Sequence, residues 1–196
     1  MAKQSRQVMP FKITLWEIEP PVWRRIQVPD TYSFWDLHVA IQDAMGWRDC
    51  HLHQFSLTDP ATGASLAIGI PDEFEPDGIE AGWSYRIADY FSKPGDSALY
   101  QYDFGDDWRH SVVLEDILPA EKGVRYPTCL DGARKCPPED CGGPWGYLEF
   151  LQAIRDPHHE EHESLLQWVG EPFDPEAFDA KRVRFSNPKK RLELFL

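Results

Sequence analysis

A chain of 196 residues with a 42% hydrophobic share has material for one ordinary core and little more. Its formal charge of −13, from 20 basic against 33 acidic side chains, sets a field that repels duplex nucleic acid. A DNA-binding role would therefore need a segregated basic patch. No apolar run approaches the roughly 18 residues that a membrane span needs, and Met1 to Pro10 lacks the apolar stretch of a signal peptide, so a cytoplasmic protein is expected. The four cysteines are then not expected to pair as structural disulfides.

Phe11, Ile13 and Leu15 alternate with Lys12 and Thr14, the pattern of a half-buried strand, and Val22 to Val28 returns as its partner after Glu19-Pro20-Pro21. A helix follows, with Ser33 and Asp36 at capping-box spacing, an apolar stripe of Phe34, Leu37, Ile41, Ala44 and Met45, and Gly46 to close it. Strand pattern resumes over His51 to Leu57, and Asp59 to Gly63 turns the chain into a partner over Ala64 to Ile70. Residues 71–97 are acidic, rich in Gly and Pro, and read as irregular with one short helix. A hairpin spans Leu99 to Leu118. Beyond Pro119 a Pro/Gly/Cys loop runs to Gly143, and Pro144 starts a helix carrying Tyr147, Phe150, Leu151 and Ile154 before Asp156-Pro157. A second helix presents His162, Leu165, Leu166 and Val169, and the end up to Leu196 fits either a strand or a helix. Strands followed by helices predict an α+β protein on a largely antiparallel sheet, beginning ββαβ in a way reminiscent of a β-grasp. No internal repeat or linker divides residues 1–196, so one domain is expected.

Several segments carry a resemblance. They are Trp23-Arg24-Arg25, the run from Leu37-His38 through Met45-Gly46-Trp47 to His51-Leu52-His53-Gln54-Phe55, and Tyr102-Asp103-Phe104-Gly105-Asp106-Asp107-Trp108. Tyr126-Pro127-Thr128-Cys129, Pro137 to Gly143, Asp156-Pro157-His158 and Phe173 to Asp179 complete the set. Together, over roughly residues 8–185, they resemble the plasmid pRiA4b ORF-3-like family. The resemblance implies a largely uncharacterised protein, some of whose relatives occur with plasmids or insertion elements and carry resolvase-like labels. A serine recombinase needs a nucleophilic Ser among arginines and a basic DNA-binding region. Here Ser5 beside Arg6 stands in a terminal segment of a strongly acidic chain.

Three constellations could carry chemistry. Matching apolar faces in the hairpin places Phe104 opposite Trp108 around a Gly105-Asp106-Asp107 turn. Asp103 then faces Arg109, and His110 faces Tyr102 on the core side, so Asp103 and His110 point apart. His51 and His53 share the face of Phe55 and Leu57. If their strand neighbours the Trp108–Leu114 strand, His51, His53 and His110 could line a pocket with Tyr102, and an H-x-H pair can hold zinc or another divalent metal. Glu139 and Asp140, at a rigid Pro-Pro turn before a helix, are candidates for a general base. Cys129, Cys136 and Cys141 could hold a structural zinc with a fourth ligand from His159, His110 or Cys50, which would also order their long loop. His158 and His162 are one helical turn apart, though His162 also continues an apolar stripe.

Of the cations, Lys181, Arg182, Arg184, Lys189, Lys190 and Arg191 crowd the C-terminus and balance an Asp156–Asp179 stretch without Lys or Arg. No P-loop, dinucleotide-binding glycine pattern or nucleophile elbow is present. Two readings remain. One is a non-catalytic binding or accessory module, linked to a mobile element, that anchors a protein or nucleic-acid partner on exposed Trp among Trp16, Trp23, Trp47, Trp83 and Trp145. The other is a metal-dependent hydrolase or nuclease using His51, His53 and His110 with Glu139 or Asp140 as base.

Overall fold

Alternating side chains build the sheet from its first strand. A computed structural model describes residues 7–71, 78–170 and 172–195, and Ser5, Arg6 and Leu196 lie outside them. β1 (Gln7–Leu15) and β2 (Trp23–Pro29) form the expected hairpin, with Phe11 opposite Ile26. In helix α1 (Phe34–Met45) both ends are as read. The Asp36 N–H donates to the Ser33 hydroxyl, the Ser33 N–H donates to the Asp36 carboxylate at 2.9 Å, and Gly46 caps the C-terminus at φ 93°. β3 (His53–Thr58) and β4 (Ser65–Gly69) pair next. β5 (Glu80–Ala81) lies parallel to β4, and a short 3-10 helix covers Ile87–Asp89. Residues 72–77 of the expected irregular stretch fall outside the described residues.

β6 (Ser97–Tyr102), β7 (Trp108–Leu114) and β8 (Leu118–Pro119) follow. With β9 (Thr128–Ala133) they complete one nine-stranded sheet in the order β5-β4-β3-β6-β7-β1-β2-β9, with β8 alongside the start of β1. Apart from the β4–β5 pair every ladder is antiparallel. Phe11, Ile13, Ile26, Phe55, Tyr100 and Val112 sit in a core with Phe34, Leu37 and Ile41 of α1, all fully buried. Each such side chain taken from water stabilises the fold by ~1.5–3 kcal/mol before entropy is counted. The other face of the central strands carries Lys12, Arg25, Gln54, Gln101 and Arg109. There Arg25 donates two hydrogen bonds to Glu115 at 2.6 and 2.9 Å. An antiparallel sheet wet on one side produces this alternation.

Two expectations are corrected. The Pro/Gly/Cys stretch contains β9, which pairs with β2 across a bulge at Arg25/Ile26. Gly132 of β9 lies under Phe178, whose ring would come within 2.5 Å of an added Cβ. The β6–β7 register is also shifted by two residues from the expected one, and the connection is longer. Tyr102 faces Trp108, Gln101 faces Arg109 and Tyr100 faces His110, so the connection is Asp103 to Asp107. A two-residue offset preserves parity, which is why His110 is on the core side as read while Phe104 is 44% exposed.

α2 (Gly143–Arg155) and α3 (His162–Val169) pack on each other, and a 3-10 turn spans Ala180–Arg182. The ambiguous end is a helix, α4 (Pro188–Phe195). Arg191 fixes it to α1 and the following turn, donating to Asp43 at 2.7 Å and pairing with Asp49 at 3.4 Å. Its acidic partners thus belong to α1 and the turn after it, and lie outside the Asp156–Asp179 stretch.

Candidate metal centre

Three connections meet at one end of the central hairpin: the turn after α1, the β6–β7 connection and the segment leading into α2. Asp103 leaves β6 at φ 57°, a left-handed conformation that Asp tolerates because its side chain bonds the local backbone. Its Oδ1 accepts the N–H groups of Gly105 at 2.9 Å and Asp106 at 3.3 Å. Oδ2 is left pointing at His51, 3.5 Å from Nε2. The Pro137–Gly143 segment closes on this turn through glycine. Gly143, at φ 69°, sits where a Cβ would be 2.4 Å from the Asp106 carbonyl oxygen, and the Gly142 N–H donates to Asp106 Oδ2 at 3.1 Å. That approach carries Asp140 Oδ1 to 3.1 Å and Glu139 Oε2 to 3.9 Å from His51 Nε2.

Glu139 is held from below. It accepts the Arg48 N–H at 2.6 Å and the Tyr102 hydroxyl at 3.2 Å, while that hydroxyl accepts the Cys50 N–H at 3.0 Å. Burial, then the Glu139 charge, pushes the Tyr102 phenol well above its ordinary pKa, so it stays a donor. Trp47 stacks on Tyr102 and donates its indole N–H to the Pro137 carbonyl at 3.0 Å, tying the turn after α1 to the acidic segment. His51 Nε2 is shielded from solvent and, although ringed by carboxylates, has none in hydrogen-bond alignment. His51, Asp103 and Asp140 each offer a ligand atom within 4.8 Å of the others, and this is the one such group among the described residues. One imidazole with carboxylate oxygens is a donor set for a divalent ion of the Mn²⁺ or Zn²⁺ kind. Asp140, with its side chain 70% exposed, leaves the group open on one side.

The other expected residues go elsewhere. β3 neighbours β6, not β7, so His51, His53 and His110 do not share a pocket. His53 is buried and stacked on His38, ring centroids 3.4 Å apart and 6° from parallel, with neither ring nitrogen hydrogen-bonded. Burial and the neighbouring His38 hold its pKa well below the usual imidazole range. His110 is fully buried, its ring edge against Trp47, and burial lowers its pKa to about 4. Cys129, Cys136 and Cys141 are free thiols that do not gather as a three-sulfur group. Burial pushes all three upward, Cys141 to about 12. His162 donates its Nδ1–H to the Ala153 carbonyl oxygen at 2.8 Å, packing α3 on α2.

Sequence reasoning set Asp103 aside by pairing it with Arg109, which instead bonds Asp107 at 2.9 Å. The available signal was Asp103 two residues before Gly105, the spacing of a side chain that caps its own turn. A buried network was missed as well. Gln42 donates to the Tyr100 hydroxyl at 2.9 Å, which frees that hydroxyl's proton for His38 Nδ1 at 2.8 Å. The His38 Nε2–H then faces Asp49 at 2.8 Å, a tautomer assigned from the network.

The fold and this cluster define an α+β protein on a largely antiparallel nine-stranded sheet with an acid-and-histidine group at the end of its central hairpin. The chain belongs to the plasmid pRiA4b ORF-3-like family, whose model matches residues 7–182. It is 39% identical over 187 residues to the uncharacterized protein y4hQ of Sinorhizobium fredii (strain NBRC 101917 / NGR234), covering 95% of this chain and 91% of that one. A crystal structure of MM3350, a protein of unknown function from Methanosarcina mazei Go1, superposes with a TM-score of 0.86 at 45% identity. That match covers 93% of this chain and 100% of that one. No helix among the described residues is long and apolar enough to cross a membrane.

Proposed function

We propose that the protein is a metal-dependent hydrolase whose divalent ion is held by His51 Nε2, Asp103 Oδ2 and Asp140 Oδ1. The supporting observation is the convergence of these atoms around an imidazole nitrogen that no hydrogen bond satisfies. Two carboxylates with Glu139 beside them carry more negative charge than one imidazole can offset, and a divalent cation would balance it. Such an ion supplies an activated water. Glu139, held by Arg48 N–H and Tyr102, stands at the rim as the candidate base. This reading moves the hydrolase site away from His53 and His110 and places it on Asp103.

The test is calorimetric titration of chelator-treated protein with Mn²⁺ and Zn²⁺. About one ion per chain, with affinity falling roughly 10–100-fold in Asp103→Asn, is expected. Equal binding by wild type, Asp103→Asn and His51→Ala would refute the site. Hydrolysis of a phosphoester and carboxyester panel, with and without metal, then tests the activity.

A second reading keeps a binding module. It draws on Trp145, 80% exposed, and on exposed Trp16 and Trp168, side chains suited to anchoring a partner. Leu52 and Phe104, next to His51 and Asp103 in the chain, are exposed too. A link to mobile elements belongs to this reading. The continuous sheet and the return of α4 onto α1 support treating the whole chain as one domain.

A further inference from the structure

Arg24 is 2% exposed, and no carboxylate lies within ion-pair distance of it among the described residues. Its Nε donates to the Ala44 carbonyl at 2.8 Å, and Nη1 donates to the carbonyls of Trp23 and Ala133 at 2.8 and 2.9 Å. The Phe178 ring lies 3.8 Å from the guanidinium carbon. Neutral carbonyls therefore hold the group on two of its nitrogens, and Nη2 has no protein acceptor among the described residues. Burying a cation without a counter-ion is costly, and burial lowers the Arg24 pKa accordingly.

This guanidinium lines a cavity of about 620 Å³ that also takes in Lys135, Arg182 and Arg184. Two acids line it as well. Asp43 is engaged by Arg191 and Ser186, and Asp179 accepts the Lys181 N–H. Four cations, of which Lys135 lies over the Phe173 ring and Arg184 donates to the Lys181 and Val183 carbonyls, outnumber the two acids in a chain of charge −13. Met45, Phe178 and Val183 give it an apolar wall.

We propose that this cavity binds a small organic anion, its phosphate or carboxylate head on Arg24 Nη2 and its apolar body along Met45 and Phe178. Arg24 is fixed before the ligand arrives, so little is lost in ordering it, and a guanidinium suits an oxyanion. Arg182 and Arg184, both exposed, supply further charge at the mouth. A neighbouring cavity of about 370 Å³ contains Glu139 and Asp140 and shares Met45, Gly46, Lys135 and Cys136 with this one. A ligand headed at Arg24 can thus extend toward the metal centre. That extension rests on the metal-dependent reading; the anion site does not.

The experiment is calorimetry on chelator-treated full-length protein, titrated separately with phenyl phosphate, benzoate and inorganic phosphate. Saturable binding of phenyl phosphate or benzoate is expected, tighter than inorganic phosphate. It should weaken about tenfold in the Arg182→Ala/Arg184→Ala double variant, whose exposed side chains can be removed without opening the core. The tighter of the two organic probes identifies the head group. No saturation up to about 10 mM, or equal binding by the double variant, overturns the proposal. Binding seen only after Mn²⁺ or Zn²⁺ is restored also overturns it, because the anion would then sit on the metal.

Discussion

Acidification from about pH 7.5 to about pH 5.5 should destabilise this protein through an imidazole that can be singled out. His110 is fully buried, with Nδ1 only 3.3 Å from the Tyr100 carbonyl oxygen and Nε2 without a partner. Burial sets its folded pKa near 4, against an unfolded value of about 6.5. The unfolded chain therefore takes up the proton first. The His110 contribution is fully present above about pH 6.5 and is lost as pH falls toward about 4. At about pH 5.5 the loss is roughly 1.4 kcal/mol, one pH unit below the unfolded value. His38 and His53 are also lowered and act in the same direction, so wild type alone cannot isolate His110. The comparison is with His110→Leu, which removes the titration and an unsatisfied buried nitrogen at similar volume. Urea unfolding of both proteins at the two pH values gives the answer. The wild type should lose about 1.4 kcal/mol more than the variant on acidification. Parallel losses, within about 0.3 kcal/mol, would refute a neutral buried His110 as a source of acid sensitivity.

Four further outcomes are expected. Gly143→Ala should cost about 2 kcal/mol or more in chemical unfolding and weaken metal binding, because its Cβ would meet the Asp106 carbonyl oxygen at 2.4 Å. Gly123→Ala, also at positive φ but with nothing within 4 Å, should cost about 1 kcal/mol and leave metal affinity alone. Ser33→Ala should lower stability by about 1 kcal/mol, read by the same method, through loss of the N-cap acceptor for Asp36 N–H. Arg191→Met should cost about 1–3 kcal/mol and speed proteolysis near α4, since Asp43 and Asp49 lose a partly buried cation.

Local signals carried the elements whose reasons are local. Ser33, Asp36 and Gly46 bracketed α1 because caps are short-range chemistry, and the period-2 runs at Phe11–Leu15 and His51–Leu57 marked half-buried strands, the second starting two residues later in the structure. β9 was hidden because Thr128-Cys129-Leu130-Asp131-Gly132-Ala133 has no alternation, its buried pattern being set by β2 and by Phe178. Parity placed His110 and His53 inward correctly, but parity does not reveal which strand lies next door. β6 between β3 and β7 dissolved the expected three-histidine pocket. Asp103 was invisible for a related reason: its left-handed backbone takes it off the strand, and face-counting assumes it stays on.

The two edges of the sheet carry a consequence for how the protein behaves at high concentration. One outer strand, β5, is two residues long. The other, β9, meets β2 across a bulge and has Phe178 pressed over Gly132. Neither offers the long flat row of amide and carbonyl groups onto which another chain could add a strand. Nine strands of largely antiparallel sheet are thereby kept from templating their own polymerisation, and substitutions that straighten β9 or displace Phe178 would reopen that route.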